Sequence, residues 1–204
     1  MFLNTQAVVI SRRRWREADR FYTLFTKELG RVEVKVRAAA KSTSKLSGHL
    51  EPLTVVDVLL MKGKYGWQLN NVVIINKPII SQPLASRMYG AIGTIVKSLI
   101  PIEQAEEEIY NDLIVLLNYL KNVDDELNYR AGLLRFVWRA LALSGNDDIV
   151  SLIKGQLDQS SKKLLQSARL GEVLMVSASN LSQAENYTEI ICAERLEARV
   201  QLCY

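Results

Sequence analysis

The chain has 204 residues, of which 49% are hydrophobic and 24% are charged, and its formal net charge at pH 7 is +4. This length and composition are typical of a globular protein that can bury a substantial core. Two cysteines, Cys192 and Cys203, are too few for a disulfide framework and suit a reducing compartment. No apolar run approaches the roughly 20 residues that cross a bilayer. The N-terminal residues also lack the charge order of a signal peptide, so we expect a cytoplasmic protein.

The charge is unevenly distributed along the chain. Residues 1–80 contain 14 Lys and Arg against 6 Asp and Glu, a net charge of +8, whereas residues 81–204 contain 12 against 16, a net charge of −4. A basic first half favours contact with a polyanion such as a nucleic acid. An ordinary solvated basic surface would give the same count.

The first 77 residues are predicted to form β-strands. In GRVEVKVRA (30–38) three valines alternate with four charged residues, which predicts a strand with a buried face and a mostly cationic outward face. Further strands are predicted at 5–12, 19–28, 51–62 and 67–77, with a hairpin turn at GKYG (63–66). Five short strands in about 80 residues indicate a small closed β-barrel, although an SH3-like barrel would use the same number.

A change of pattern follows the strands. Pro78 and Pro83 exclude a central strand or a helix interior between them, so we place a domain boundary there, with a barrel domain at 1–80 and a helical domain at 81–204. Helices are predicted at 84–100, 103–122 and 124–145, one broken helix or two short ones at 146–171, and a last helix at 182–204. The apolar side of the last helix is expected to carry Ile190, Ala193, Leu196 and Val200. The chain is therefore predicted to be an α+β protein of two domains.

No catalytic constellation is recognisable in the sequence. His49 is the only histidine, and a structural hydrogen bond in a loop is its better interpretation. There is no phosphate-binding loop motif, and the two cysteines lie far from any histidine, which argues against a zinc site. Acidic clusters at 106–108 and 124–126 open predicted helices, where the helix dipole favours them. We expect a protein that is not an enzyme and uses no metal or cofactor.

Positive side chains concentrate in the predicted barrel, in a pattern that suits a sugar–phosphate backbone. The candidate phosphate-binding residues are Arg12, Arg14, Arg20, Arg31, Lys35, Arg37, Lys41 and Lys45. Glu33 removes one charge from this surface, and we expect it to pair with Arg31 or Lys35 on its own strand. Trp15 and Trp67, near predicted turns, are candidates for base stacking; alternatively, these rings close the ends of the barrel. Binding is expected to be electrostatic and largely independent of base sequence.

A second candidate site lies in the third predicted helix. Arg135 and Arg139 are four residues apart and therefore share a face of that helix, and Leu134, Val137 and Trp138 lie between them. Cations beside an apolar groove suit an amphipathic acidic peptide. The alternative is a core helix with two solvated arginines.

Two segments carry a resemblance to a known family. EADRFYTLFTKELGRV (17–32) and KLSGHLEPLTVVDV (45–58) resemble the N-terminal barrel of the RecO family of bacterial recombination mediators, with a likeness over about residues 6–64. The helical segments MYGAIGTIVKSLIP, IYNDLIVLLNYL and GLLRFVWRALALSG are similar, less specifically, to the helical domain of that family. The resemblance implies a five-stranded OB-fold followed by an all-α domain.

The function that this resemblance implies is recombinational DNA repair without covalent chemistry. Members bind single- and double-stranded DNA and anneal complementary strands. With RecR they load the recombinase RecA onto DNA coated by the single-strand-binding protein (SSB), and they recognise the acidic, phenylalanine-ended tail of SSB. Such a protein would lie in the bacterial cytoplasm, associated with the nucleoid. An RNA- or ribosome-associated OB-fold protein, or an interaction scaffold with weakened DNA binding, would share the charge pattern.

The sequence departs from the family in three respects. After the third strand, where the family usually carries a glycine and several arginines, the loop reads AAAKSTSK, with Lys41 and Lys45 as its cations. Many members have a four-cysteine zinc module, whereas this chain has no cysteine before Cys192, which places it with the zinc-free members. The chain is also short for the family after about residue 145, where partner contacts would otherwise be expected.

Overall fold

The structure is a computed structural model that describes residues 1–15, 17, 19–37, 49–77, 84–123, 125–146, 157–172, 176–197, 200 and 202. It divides into two compact units, one comprising Met1–Pro78 with Ile100–Tyr110 and the other Ile79–Leu99 with Asn111–Tyr204. The predicted domain boundary at residue 80 falls within 78–83, outside the described residues, and stays a prediction. None of the described helices combines the length and apolar character that crossing a bilayer requires.

The first unit contains five β-strands that close into a barrel: β1 (Phe2–Trp15), β2 (Asp19–Thr26), β3 (Gly30–Val36), β4 (Val55–Gly63) and β5 (Gly66–Asn76). The order around the barrel is β1-β2-β3-β5-β4, and β4 pairs back onto β1. β3 and β5 are parallel, while the other neighbouring strands are antiparallel. This is the five-stranded barrel of an OB-fold, so the predicted fold class is confirmed.

The valine face predicted for β3 forms part of the barrel core. Val32, Val34 and Val36 are buried among the core residues of the barrel, whereas Glu33 and Lys35 are half-buried on the outside. Burial of a valine side chain contributes about 1.5–3 kcal/mol. A slip of one residue would exchange the two faces, so this burial fixes the register of β3.

β1 contains a β-bulge that changes which of its residues face the core. The pairing of β1 with β2 shifts between Val9 and Ser11. Val9 is a core residue opposite Leu24, but after the shift Arg12 lies opposite the buried Tyr22. Because side chains alternate along a strand, even-numbered positions after the bulge lie on the core side and odd-numbered positions on the outer side.

A segment between helices packs onto the barrel, and we call residues 100–106 the strap. The Glu103 backbone N–H, at a φ of 57°, donates to the Arg31 carbonyl oxygen over 2.9 Å. Gly30 has a φ of 65°, and a Cβ at this position would lie 1.7 Å from the Gln104 carbonyl oxygen. Glycine is therefore required at position 30 by both conformation and space.

The described helices are α1 (Leu84–Leu99), α2 (Glu107–Tyr119), a 3₁₀ turn (Leu120–Asn122), α3 (Glu126–Leu143), α4 (Gln159–Leu170) and α5 (Ala178–Arg195). Side chains of Asp125, Asp158 and Ser177 cap the last three by accepting a hydrogen bond from the first-turn backbone. α3 packs against α1, α4 and α5 and forms the centre of the helical unit. Part of the predicted 146–171 helix lies at 147–156, outside the described residues.

The last helix buries a different side from the one predicted. Ile190 is 52% exposed and Ala193 is exposed, and the helix ends at Arg195, so Leu196 and Val200 lie beyond it. The interior positions of α5 include Thr188, whose hydroxyl accepts from the Trp138 indole N–H over 2.8 Å. The buried side of α5 therefore combines this hydroxyl, which needs a partner, with apolar residues: Leu181, Ala184, Ile191 and Cys192.

Candidate nucleic-acid interface

The β1–β2 hairpin carries its cations on two opposite faces. Arg13 lies opposite Phe21, which lies opposite Lys35, and this row is on the outer side of the barrel. Arg12 lies opposite Tyr22, and Arg14 opposite Arg20, on the core side. We call the first the outer face (Arg13, Trp15, Phe21, Lys35) and the second the rim cluster (Arg12, Arg14, Arg20).

Aromatic rings and a guanidinium group contact one another on the outer face. The Trp15 and Phe21 ring centroids are 5.2 Å apart at an interplanar angle of 81°, and the Arg13 guanidinium lies 4.4 Å from the Phe21 centroid. Trp15 is 42% exposed. The edge-on contact with Phe21 holds the indole in place, so Trp15 can offer a surface to an unstacked base.

Both cations of the outer face have acidic partners. The Lys35 ammonium lies 3.0 Å from the Asp19 carboxylate, and the Arg13 guanidinium lies 3.7 Å from Glu33. The expected pairing of Glu33 with Arg31 or Lys35 is therefore wrong. Arg13 on β1 and Glu33 on β3 flank β2, so the two long side chains meet across that strand.

Glu33 is also fixed by a hydrogen bond on its other side. The Thr23 hydroxyl donates to Glu33 Oε1 over 2.6 Å, and Ser11 donates to Thr23 Oγ1 over 3.0 Å. A phosphate that approaches Arg13 must therefore compete with a carboxylate that is already positioned. The exposed pair contributes only about 0–1 kcal/mol, so this competition is weak.

The rim cluster differs in that its cations have no acidic partner among the described residues. Arg12 and Arg14 are exposed and Arg20 is half-buried, and none of the three makes an ion pair in the described part of the chain. Burial raises the pKa of the Tyr22 phenol above its ordinary value, and the charges of Arg12 and Arg20 oppose that rise. Both arginines are thus close enough to act on the same buried hydroxyl.

The remaining predicted cations of the barrel have different environments. Arg31 is half-buried beneath the strap, and its backbone pairs with that of Ile102 in an isolated parallel β-bridge. The Arg31 Nε is buried without a hydrogen-bond partner among the described residues. Arg37 is exposed in the turn that follows β3. Lys41 and Lys45 lie outside the described residues. Of the three cations expected to share the outward face of β3, Arg31 is thus covered by the strap, whereas Lys35 is half-buried and Arg37 is exposed.

The structure corrects the expectation for Trp67. This residue is 3% exposed and belongs to the barrel core. Its indole N–H donates to Glu103 Oε1 over 3.0 Å, and the Lys62 ammonium lies 5.1 Å from its ring centroid. A buried ring with a cation beside it has no free surface for a base, so Trp67 closes the barrel, as the alternative interpretation held.

In the helical unit, Arg135 lines a cavity of about 250 Å³. The other lining residues are Val115, Leu116, Tyr119, Ala131, Gly132 and Gly171. Arg135 Nε donates to the Gly171 carbonyl oxygen over 2.8 Å, and Nη2 donates to Asp112 Oδ1 over 3.2 Å. Burial raises the pKa of the Asp112 carboxyl, and the charge of Arg135 opposes that rise.

The apolar part of this site comes from residues that the sequence prediction did not select. Leu134, Val137 and Trp138, expected to form the groove, are buried core residues. The cavity instead uses α2, whose Val115 and Tyr119 are largely exposed. Arg139 is half-buried near Gly171, beside Arg135. The four-residue spacing of the arginines thus correctly placed them on one face, but their apolar neighbours were assigned to the wrong helix.

The described residues contain no group of three or more His, Cys, Asp or Glu side chains that could hold a metal ion. His49 is half-buried, and its Nδ1 lacks a hydrogen-bond partner within the described ranges. Cys192 is a buried free thiol whose pKa burial raises to about 12. A thiol with such a pKa stays protonated at neutral pH and is a poor nucleophile.

Comparison with known proteins places the first unit in a defined family. The family model described as "Recombination protein O N terminal" matches residues 1–77. A protein named DNA repair protein RecO from Geobacter sulfurreducens is 30% identical over 150 residues, 69% of this chain and 60% of that protein. The protein of the same name from Synechococcus sp. is 27% identical over 143 residues, 63% of this chain and 49% of the relative.

A shorter match has higher identity. The DNA repair protein RecO of Dehalococcoides mccartyi is 42% identical over 60 residues, which are 29% of this chain and 24% of that protein. This chain therefore spans between 24% and 60% of the length of these relatives. Like the family model, this match is confined to a part of the chain.

Proposed function

We propose that this chain, which belongs to the RecO family, is a DNA-binding protein of recombinational repair. In this proposal it anneals complementary single strands and helps to load RecA onto DNA coated by SSB. The proposed activity is not enzymatic: it needs only binding surfaces for DNA and for partners.

The observation that carries the proposal is the cationic hairpin of the barrel. The rim cluster presents three arginines without acidic partners among the described residues, and the outer face adds Arg13 and Lys35 beside an exposed tryptophan. Cations that neutralise phosphates release condensed counterions, and this release drives binding without regard to base sequence. Two strands that have both lost charge in this way repel each other less, which favours pairing of complementary bases.

The cavity in the helical unit supports a proposed contact with the SSB tail. A volume of about 250 Å³ with an apolar lining suits the burial of an aromatic side chain. The Arg135 guanidinium on its wall provides a donor for a carboxylate, in competition with Asp112. We place the phenylalanine-ended acidic tail there, with Arg139 near by, and we propose RecR and, indirectly, RecA as further partners.

One observation favours a second function. The two cations of the outer face already pair with Asp19 and Glu33, which lowers the charge available to phosphates. A scaffold with weakened DNA binding is therefore the alternative that the geometry supports. An RNA- or ribosome-associated role shares the charge pattern, and competition between single-stranded DNA and structured RNA separates it from the first proposal.

The proposed function is tested by strand annealing at several salt concentrations, with and without SSB. If roughly five side chains neutralise phosphates, log K for single strands should fall against log salt with a slope of about −3 to −4. Annealing should persist on SSB-coated strands, and a peptide with the sequence of the SSB tail should inhibit it there. An affinity that does not depend on salt contradicts the counterion mechanism, and annealing of naked but not of coated strands contradicts the SSB contact alone.

A further inference from the structure

The two faces of the β1–β2 hairpin differ in chemistry as well as in position. The outer face combines cations with rings: Arg13 lies 5.8 Å from the Trp15 ring centroid and 4.4 Å from that of Phe21. The rim cluster has three arginines, and the aromatic ring on its side, Tyr22, is buried. One face can therefore contact bases and phosphates, whereas the other offers cations only.

The β-bulge creates this division. If β1 continued its alternation without a shift from Val9, which faces the core, Arg13 and Trp15 would also face the core side. The shift between Val9 and Ser11 places them outside and moves Arg12 and Arg14 to the opposite side. A run of three consecutive arginines is thus split so that the middle one joins the aromatic residues and the outer two join Arg20.

Different forms of DNA match these two chemistries. A ring can stack on a base only when that base is unstacked from its neighbours, as in a single strand. In a duplex the bases are stacked and the outward-facing groups are phosphates, which arginines bind without base contact. The outer face therefore suits a single strand, and the rim cluster suits the backbone of a duplex.

We propose that the hairpin holds two separate DNA sites, a single-strand site on the outer face with Trp15 and Arg13, and a duplex-backbone site at the rim cluster. This inference rests on the proposed DNA-binding function and deepens it by assigning a DNA form to each face. Because the sheet lies between the faces, a strand on one does not occupy the other. The faces converge at the hairpin end near Trp15, where a junction between single- and double-stranded DNA would contact both.

The proposal is tested by binding of an oligothymidylate and of a blunt-ended duplex of equal length to three variants. The rim variant carries Arg12→Gln, Arg14→Gln and Arg20→Gln, and the outer variant carries Trp15→Ala. The matched control removes three exposed lysines of the helical unit, Lys97→Gln, Lys121→Gln and Lys163→Gln, and has the same net charge as the rim variant. Circular dichroism and thermal melting establish that each variant folds.

The two-site arrangement predicts that each variant loses affinity mainly for one form of DNA. The rim variant should lose at least about tenfold in duplex affinity, with a salt slope smaller in magnitude by about 2 to 3, and should retain most of its oligothymidylate affinity. The outer variant should lose about tenfold for oligothymidylate, as expected for one stacked base, and less than about twofold for duplex, where stacking is not possible. The lysine control should change both affinities by the same small factor.

A measurement on the unmodified chain keeps the proposal testable if a variant does not fold. Saturating oligothymidylate should leave a labelled duplex bound, because the two occupy different faces. Displacement of the duplex would show a single site and overturn the two-site proposal alone. A parallel loss of affinity for both DNA forms in both variants would have the same consequence. A chain that binds neither DNA overturns the proposed function together with this inference.

Discussion

Arg12 and Arg14 of the barrel hairpin and Arg130 and Arg135 of the helical unit have opposite environments. Arg12 and Arg14 are exposed and have no ion pair among the described residues. Arg130 donates from Nε to Glu185 Oε1 over 3.0 Å, and Arg135 donates to Asp112. The same residue type thus offers a charge to solvent in one unit and stabilises the packing of helices in the other.

The number of cations in a sequence therefore does not measure its capacity to bind DNA. In the helical unit the partner of Arg130 is nearly inaccessible, since Glu185 is 1% exposed. Desolvation raises the pKa of the Glu185 carboxyl, and the hydrogen bond from Arg130 opposes that rise. If Arg130 turned to a phosphate, the Glu185 carboxylate would remain buried without a compensating charge, which costs free energy. Arg130 is therefore not available to a phosphate.

The largest expected effect on stability comes from breaking the ion pair between Arg130 and the buried Glu185. Arg130→Ala leaves Glu185 buried without its main donor, and we expect the free energy of unfolding to fall by about 3–5 kcal/mol. Urea denaturation followed by circular dichroism measures this change. Replacing both partners by apolar residues, Arg130→Met with Glu185→Leu, should restore most of the lost stability, because no buried charge remains.

Arg14→Ala is the matched control from the hairpin. Its side chain is exposed and makes no ion pair in the part of the chain that is described, so the free energy of unfolding should stay within about 0.5 kcal/mol. If Arg14→Ala destabilised the chain as strongly as Arg130→Ala, the contrast between the two units would be wrong.

The next effect concerns the outward side of β3. The double change Lys35→Glu and Arg37→Glu reverses two charges near the outer face, and we expect a loss of about tenfold or more in single-strand affinity for every base sequence alike. Fluorescence anisotropy with oligonucleotides of different sequence measures it. Unchanged affinity would mean that these cations are only a solvated surface.

Single substitutions sharpen this prediction. Lys35 already pairs with Asp19, whereas Arg37 is exposed and has no ion pair among the described residues. Arg37→Gln should therefore reduce affinity more than Lys35→Gln, because a phosphate gains less from a cation that must leave a partner. Equal losses would indicate that the Asp19 pair does not restrain Lys35.

The smallest expected effect on affinity comes from removing the charge of Glu33 that pairs with Arg13. Glu33→Gln keeps an acceptor for the Thr23 hydroxyl but removes the negative charge beside Arg13. An exposed pair is worth at most about 1 kcal/mol, so single-strand affinity should rise by up to about fivefold. Glu51→Gln, which removes a carboxylate paired with Lys77 elsewhere on the barrel, controls for the change in net charge, and an equal rise there would contradict a local cause.

The candidate site was predictable where strand alternation alone decided it and not where a bulge intervened. Lys35 lies outside because Val34 and Val36 are buried on either side of it, which the period of two predicts. Arg13 is absent from the predicted set, yet it is the arginine of β1 that joins the outer face. No sequence signal marks the bulge between Val9 and Ser11, since its position depends on how β1 pairs with β2.

Sequence alone was enough to predict the five-stranded barrel, the helical second part and the valine face of β3, because each follows from the local period of apolar residues. Contacts between elements set the burial of Trp67 beneath the strap, the sorting of consecutive arginines onto two faces, and the placement of Thr188 against α3. Each depends on a partner in another element: Glu103 for Trp67, β2 for the arginines, and Trp138 for Thr188. The period of apolar residues indicates which side of an element is buried. The position of a buried polar group depends instead on the atom that satisfies its hydrogen bond.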